Sequence, residues 1–225
     1  MRALPQRVVA ETLGTAMLLA AVVGSGIMGE RLAGGNVAVA LLGNTLATGA
    51  ALVALILTFG PISGAHFNPV VTLTSAWQGY FAWREVPLYI AGQLIGGLLG
   101  VAATHLMFEL PLFFASRHER SGSAQMFSEF VATFGLLLVI WSCVKFQARV
   151  VPFAVAAYIT AAYWFTASTS FANPAVTIAR SLSDTFAGIR PVDAPGFIVA
   201  QLLGAIAAVL VFRWLTPARA LGDES

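Results

Sequence analysis

Charge, cysteine and histidine are all scarce in this chain. Only 10% of its 225 residues are Asp, Glu, Lys or Arg, far below the roughly 25% that clothes a typical water-soluble domain. With 12 Lys and Arg against 10 Asp and Glu, the net charge of +2 offers no basic stripe for a nucleic acid. A pI near 9.0 adds little to that. The single Cys143 excludes an internal disulfide and reads as a packed apolar residue within a span. Three scattered histidines and that one thiol do not assemble a metal site. No Ser-His-Asp set, paired catalytic acids or glycine-rich phosphate loop stands in a fitting context, and Gly92-Gln-Leu-Ile-Gly96-Gly97 reads as packing inside an apolar run. The chain is therefore not expected to be an enzyme or to need a cofactor.

What is abundant is apolar sequence, at 58% of residues and a mean hydropathy of +0.83. A helix needs about 17 to 25 apolar residues to cross a bilayer, and six such runs can be read, over about 8–28, 37–59, 86–108, 125–146, 150–168 and 196–215. They fill most of the chain and leave no room for a separate catalytic domain. The first run, behind Arg2 and Arg7, imitates a signal peptide, but Glu11 interrupts it and has a counterpart in the second half. An even number of spans puts both termini on one side. That side carries Arg2, Arg7, Arg84, Lys145, Arg149, Arg213 and Arg219, against Arg31, Arg117, Arg120, Arg180 and Arg190 opposite. The excess favours cytoplasmic termini.

The two halves align at three anchors: Glu11-Thr-Leu-Gly-Thr15 with Glu129-Phe-Val-Ala-Thr133, Asn68-Pro69 with Asn173-Pro174, and Gln93-Leu-Ile-Gly96 with Gln201-Leu-Leu-Gly204. Three spans per copy is odd, so the second copy enters the membrane upside down, giving inverted repeats over approximately 6–110 and 124–216 of a single domain, 1–225. Asn caps free amides and Pro fits the first helical position. Asn68 to about Gln78 and Asn173 to about Leu182 are too short to cross, so they read as re-entrant half-helices whose positive ends and Asn side chains meet at the centre. Irregular backbone at that depth must be buried in protein or line water. Residues 62–67 and 168–172 are thus expected in a pore wall, with Gly64, Ala65, His66 and Val70 among its lining.

Glu11 and Glu129 lie inside apolar spans, where a carboxylate is expensive. Their matched positions favour a brace that accepts hydrogen bonds from the re-entrant loops; a proton relay is the alternative. His66 has no equivalent in the second loop and reads as a satisfied buried group, with gating as the alternative. Small residues such as Gly14, Gly96 and Gly204 permit close helix contact.

Ser63-Gly-Ala-His-Phe-Asn68-Pro-Val70 and Ser170-Phe-Ala-Asn173-Pro-Ala175, within six spans, resemble the aquaporin and aquaglyceroporin family over roughly residues 6–216. The resemblance implies an all-α membrane fold of six transmembrane helices and two half-helices, a homotetramer in the lipid bilayer, and a pore centre at Asn68 and Asn173. It also implies an outer selectivity filter of Thr48, Ala161, Ser170 and Val176, where a register slip would place Ala162 or Tyr163 instead of Ala161. Most members carry Arg where this chain has Val176. Arg180, four residues on, is read as too distant to replace it, although Arg180, Asp184 and Arg190 form an alternative charged vestibule.

The stretch from Ala161 to Arg180 is similar to a bacterial subgroup found with arsenic-detoxification genes. That similarity implies a passive channel in the bacterial inner membrane for small uncharged solutes: glycerol-like polyols, trivalent arsenic hydroxide, methylated arsenicals and water. A water-selective channel and a proton-coupled secondary transporter are the alternatives. Residues 109–123 are expected to be a solvated outer loop.

Overall fold

The computed structural model describes residues 2–217; the reading of Arg219–Ser225 as a polar, disordered tail lies outside them. Among the described residues, six helices are long and apolar enough to span a membrane. These are α1 (Leu4–Leu32), α2 (Val37–Ser63), α4 (Val86–Met107), α5 (Ser123–Phe146), α6 (Val151–Phe165) and α8 (Ala194–Leu215), with short helices α3 (Pro69–Trp77) and α7 (Pro174–Arg180) between the second and third span of each half. One 3-10 turn leads into α4 and another into α6. The first span runs about one turn beyond the sequence expectation at each end, because Pro5 sits in its opening turn and Gly34 supplies the positive φ that ends it.

Local chemistry sets the helix ends. Asn36 caps α2 by accepting from the amides of Ala38 and Val39 at 3.1 and 3.2 Å. Pro61 stands in the last turn of that helix, and Gly64 closes it at φ +93° with its N–H on the Gly60 carbonyl. Asn68 and Asn173 are the caps of α3 and α7, each followed by Pro in the position where a missing N–H is harmless.

The halves pack alike. Helix α1 lies against α2 and α4, α5 lies against α6 and α8, and α2 against α6 joins the two. Contact within each half is close because Gly96 of α4 meets the Thr12 carbonyl of α1, and Gly204 of α8 meets the Phe130 carbonyl of α5, with no room for a Cβ. Both half-helices wedge between α4 and α8, and their tips touch. The outside remains apolar: Val9, Leu13 and Met17, one turn apart on α1, are all exposed, as a lipid-facing stripe should be.

Most of residues 109–123 are exposed, as expected of an outer loop, but the backbone of the segment is anchored to the protein. Phe114 and Ser116 donate backbone hydrogen bonds to Leu182 and Ser181, and Arg190 donates to His118. The segment is stitched to the loop after α7, and Arg120 is buried beneath it. Backbone amides without other partners drew it onto the protein.

Candidate functional site

The two re-entrant loops hold an unusual backbone. Gly64, Ala65 and Phe67 in the first, and Thr169, Ser170 and Ala172 in the second, have φ between +48° and +93°. Five of these six are not glycine, and each such residue costs roughly 1–2 kcal/mol in that conformation. Glu11 offsets the cost in the first loop by accepting from Ser63 Oγ at 2.7 Å, His66 N at 2.9 Å, Phe67 N at 2.7 Å and Gln93 Nε2 at 2.8 Å. Glu129 repeats this on Ser168 Oγ at 2.6 Å, Phe171 N and Ala172 N at 2.8 Å, and Gln201 Nε2 at 2.6 Å. Both carboxylates are fully buried. Every neighbour donates, so an acceptor-only group fits. Gln93 and Gln201 also reach Thr72 and Thr177 on the half-helices. The sequence showed these glutamines only as aligned anchors.

At the tips, Asn68 Nδ2 donates to the Ala172 carbonyl and Asn173 Nδ2 to the Phe67 carbonyl, both at 2.8 Å. Each Asn Oδ1 meanwhile accepts from its own half-helix: Val70 N at 3.0 Å, and Ala175 N at 3.0 Å with Val176 N at 3.3 Å. Two loops from opposite ends of the chain are thereby crosslinked, and the orientation of each amide is dictated by its partners. A primary amide carries two N–H groups, so each Asn retains one beyond the crosslink. Both asparagines border a cavity of about 250 Å³. Its wall combines loop residues Gly64 to Asn68 and Ser170 to Asn173 with apolar side chains of four spans, among them Leu18, Leu52, Ile140 and Ile159.

The model of the family described as Major intrinsic protein matches residues 2–151 and 142–224. The chain belongs to the major intrinsic protein family. Aquaglyceroporin AqpS of Rhizobium meliloti is 54% identical over 217 residues, 96% of this chain and 93% of that one. Aquaporin NIP1-1 of Oryza sativa is 34% identical over 143 residues, 60% of this chain and 47% of that one. The X-ray structure of the aquaglyceroporin from Plasmodium falciparum covers 95% of each chain with a TM-score of 0.68 at 21% identity, a likeness of fold. As a major intrinsic protein, the chain is a multi-pass membrane channel and not an enzyme.

Not every residue singled out from the sequence borders the cavity of this major intrinsic protein. Thr48, Gly64, Ala65, His66, Ser170 and Val176 do. Ala161 does not; it is exposed on the outside of α6, and Tyr163 lines the cavity instead, its hydroxyl 3.3 Å from Thr48 Oγ1. Two residues along a helix turn a side chain by about 200°, so the register slip noted from the sequence reverses which side it faces. Val70 is also corrected: it is fully buried but packs behind the wall, and Val71 takes its place in the lining. His66 Nδ1 lies 3.1 Å from Thr72 Oγ1, with its ring against Phe81 and Tyr89. Two polar atoms of the lining residues, Ser170 Oγ and Trp141 Nε1, are buried without a hydrogen-bond partner among the described residues. Trp141 stacks on Tyr80, ring centroids 5.7 Å apart, and both belong to the lining.

The face opposite the termini is rich in charge. Asp184 is held below its ordinary range by hydrogen bonds from the Arg117 amide and guanidinium, and Asp193 likewise by the Arg190 guanidinium and the Arg120 amide. Arg190 thus faces Asp193 and Glu119. Of the vestibule trio, only Arg180 borders the cavity.

Proposed function

We propose that the chain is a passive channel for small uncharged, hydroxylated solutes: glycerol-like polyols, trivalent arsenic hydroxide and methylated arsenicals, with water. The observation that carries this is the crossed pair of Asn68 and Asn173, which borders a cavity walled elsewhere by re-entrant loop residues, aliphatic side chains such as Leu18, Leu52, Ile140 and Ile159, and the aromatic Tyr80, Trp141 and Tyr163. A neutral polyol matches such a wall, with hydroxyls on the donors and acceptors and carbon against Leu and Ile. The name of the Rhizobium meliloti relative, an aquaglyceroporin, supports the same solute class.

In this reading the outer ring is Thr48, Tyr163, Ser170 and Val176, Asn68 and Asn173 form the pore centre, and Glu11 and Glu129 brace the loops. The whole chain acts as one channel domain with inverted repeats at approximately 6–110 and 124–216. It assembles as a homotetramer in a bacterial inner membrane with both termini cytoplasmic.

One observation favours a second reading. Tyr163, in place of the small Ala161 expected, narrows the ring and favours a water-selective channel. Stopped-flow light scattering on proteoliposomes decides between them. Glycerol and arsenite entry well above that of protein-free vesicles, and reduced at least tenfold in Val176→Arg, supports the solute channel; fast water flux with neither solute entering supports the water channel.

A further inference from the structure

Among the described residues, Arg180 is the one Lys, Arg, Asp or Glu bordering the cavity. It is 2% exposed, and its guanidinium carbon lies 3.3 Å from the centroid of Phe171, itself a lining residue. Its hydrogen bond among the described residues runs from Nε to the Ala187 carbonyl, so its terminal nitrogens have no protein acceptor there. Helical side chains lean toward the N-terminus of their helix. A long side chain four residues after Val176 on the same face therefore folds back over the turn that carries the ring.

A second guanidinium stands beside it. Arg120 lies 5.0 Å from the same Phe171 centroid and is clamped by the carbonyls of Gly188 at 2.8 Å and Ser168 at 3.0 Å. Among the described residues neither arginine forms an ion pair, whereas Arg117 and Arg190, nearby on the surface, do. Buried charge is normally neutralised by a partner; here two guanidiniums flank one ring and each bonds its own carbonyls, while the Asp193 carboxylate meets only the backbone N–H of Arg120 and not its guanidinium. Val176 supplies no charge at the ring, but the field is present one turn further out.

We propose that Arg180 is the charge-selecting residue of this channel, displaced one helical turn from the ring, with Arg120 fixed behind Phe171 to reinforce it. The inference rests on the solute-channel reading above. Arg180 repels small cations at the mouth and offers its free N–H groups to the oxygen of a neutral solute.

The test uses two probes of nearly the same shape, urea and guanidinium, entering proteoliposomes of the full chain. The native channel admits urea and holds back guanidinium. Arg180→Gln, which keeps a donor for Ala187 and removes the charge, raises the guanidinium-to-urea flux ratio about 100-fold, the factor that one unit charge about 6 Å away imposes at an effective dielectric constant of about 20. Arg180→Lys keeps the ratio within about threefold of native. The double variant Val176→Arg with Arg180→Gln returns it toward native by moving the charge inward. An unchanged ratio in Arg180→Gln overturns the proposal, as does an equal rise in the Gln and Lys variants, which would make Arg180 only a clamp on the 181–189 loop. A native channel closed to both urea and glycerol overturns the solute reading itself.

Discussion

Replacing Glu129 by Gln is the sharpest test of how the re-entrant loops are held. The substitution conserves shape but converts one carboxylate oxygen into an NH2 group. In the native chain Oε1 accepts from Ser168 Oγ and Phe171 N, and Oε2 from Ala172 N and Gln201 Nε2. Whichever position the new amide takes, one backbone N–H, that of Phe171 or of Ala172, faces a donor, whereas the Ser168 hydroxyl can rotate and the Gln201 amide can flip to accept. A buried donor left unsatisfied costs about 1–3 kcal/mol, so the loss is of that size before relaxation. The loop has a ready way to relax, because Thr169, Ser170 and Ala172 are held at φ of +59°, +52° and +48°. Releasing that strain withdraws the Ala172 carbonyl from Asn68. The assay pairs unfolding in detergent with glycerol flux in vesicles: Glu129→Gln should lower the unfolding free energy by at least about 1 kcal/mol and glycerol flux by at least tenfold, with Glu11→Gln behaving alike. A variant of native stability whose only defect is loss of pH-driven flux would refute the brace and identify a relay.

Gly204→Val drives a side chain into the Phe130 carbonyl and should cost at least about 2 kcal/mol in the same unfolding assay, since close-packed spans tolerate overpacking poorly; a neutral effect would contradict the α5–α8 contact. Ala161→Leu, on the outside of α6, should leave glycerol flux within about twofold of native while Tyr163→Ala changes it, and the opposite ranking would restore the register read from the sequence. Asp184 and Asp193 are depressed by their arginine partners, so what they contribute is fully present above the ordinary Asp value of about 4 and is lost as pH falls through their lower folded values. The unfolding midpoint should therefore drop below about pH 4 in the native chain, and drop less in Asp193→Asn; identical pH profiles would refute the sign.

Sequence alone conveyed the six spans, the duplication and the two capped half-helices, because each rests on composition or on a local motif whose geometry is nearly forced. Glu11 and Glu129 were conspicuous for the same reason, since an acid in an apolar run has few places to go. What was illegible depended on side-chain direction. Ala161 and Tyr163 are two residues apart, and nothing in a uniformly apolar helix such as α6 marks which side faces inward. Val70 failed similarly, because a nine-residue half-helix wedged between α4 and α8 presents a buried back as well as a lining front. The seat of the Arg180 side chain against Phe171 and the Ala187 carbonyl was equally illegible, because both partners lie in loops whose course no local motif fixes. The burial of Arg120 within its outer loop was not legible, because it depends on backbone bonds between residues 114–118 and 181–190, far apart in sequence and without a motif. The polar Gln93 and Gln201, alike in both repeats, were a usable signal for the brace network.

A passive channel moves its solutes by diffusion along a fixed wall, which the proposed function centres on Asn68 and Asn173. The most direct test is the glycerol permeability coefficient of the native chain in proteoliposomes, measured from low millimolar to molar glycerol with and without an imposed pH gradient. A fixed wall predicts one coefficient throughout, unaffected by the gradient. A flux that saturates at low concentration and rises with the proton gradient would contradict it and point to an alternating-access carrier.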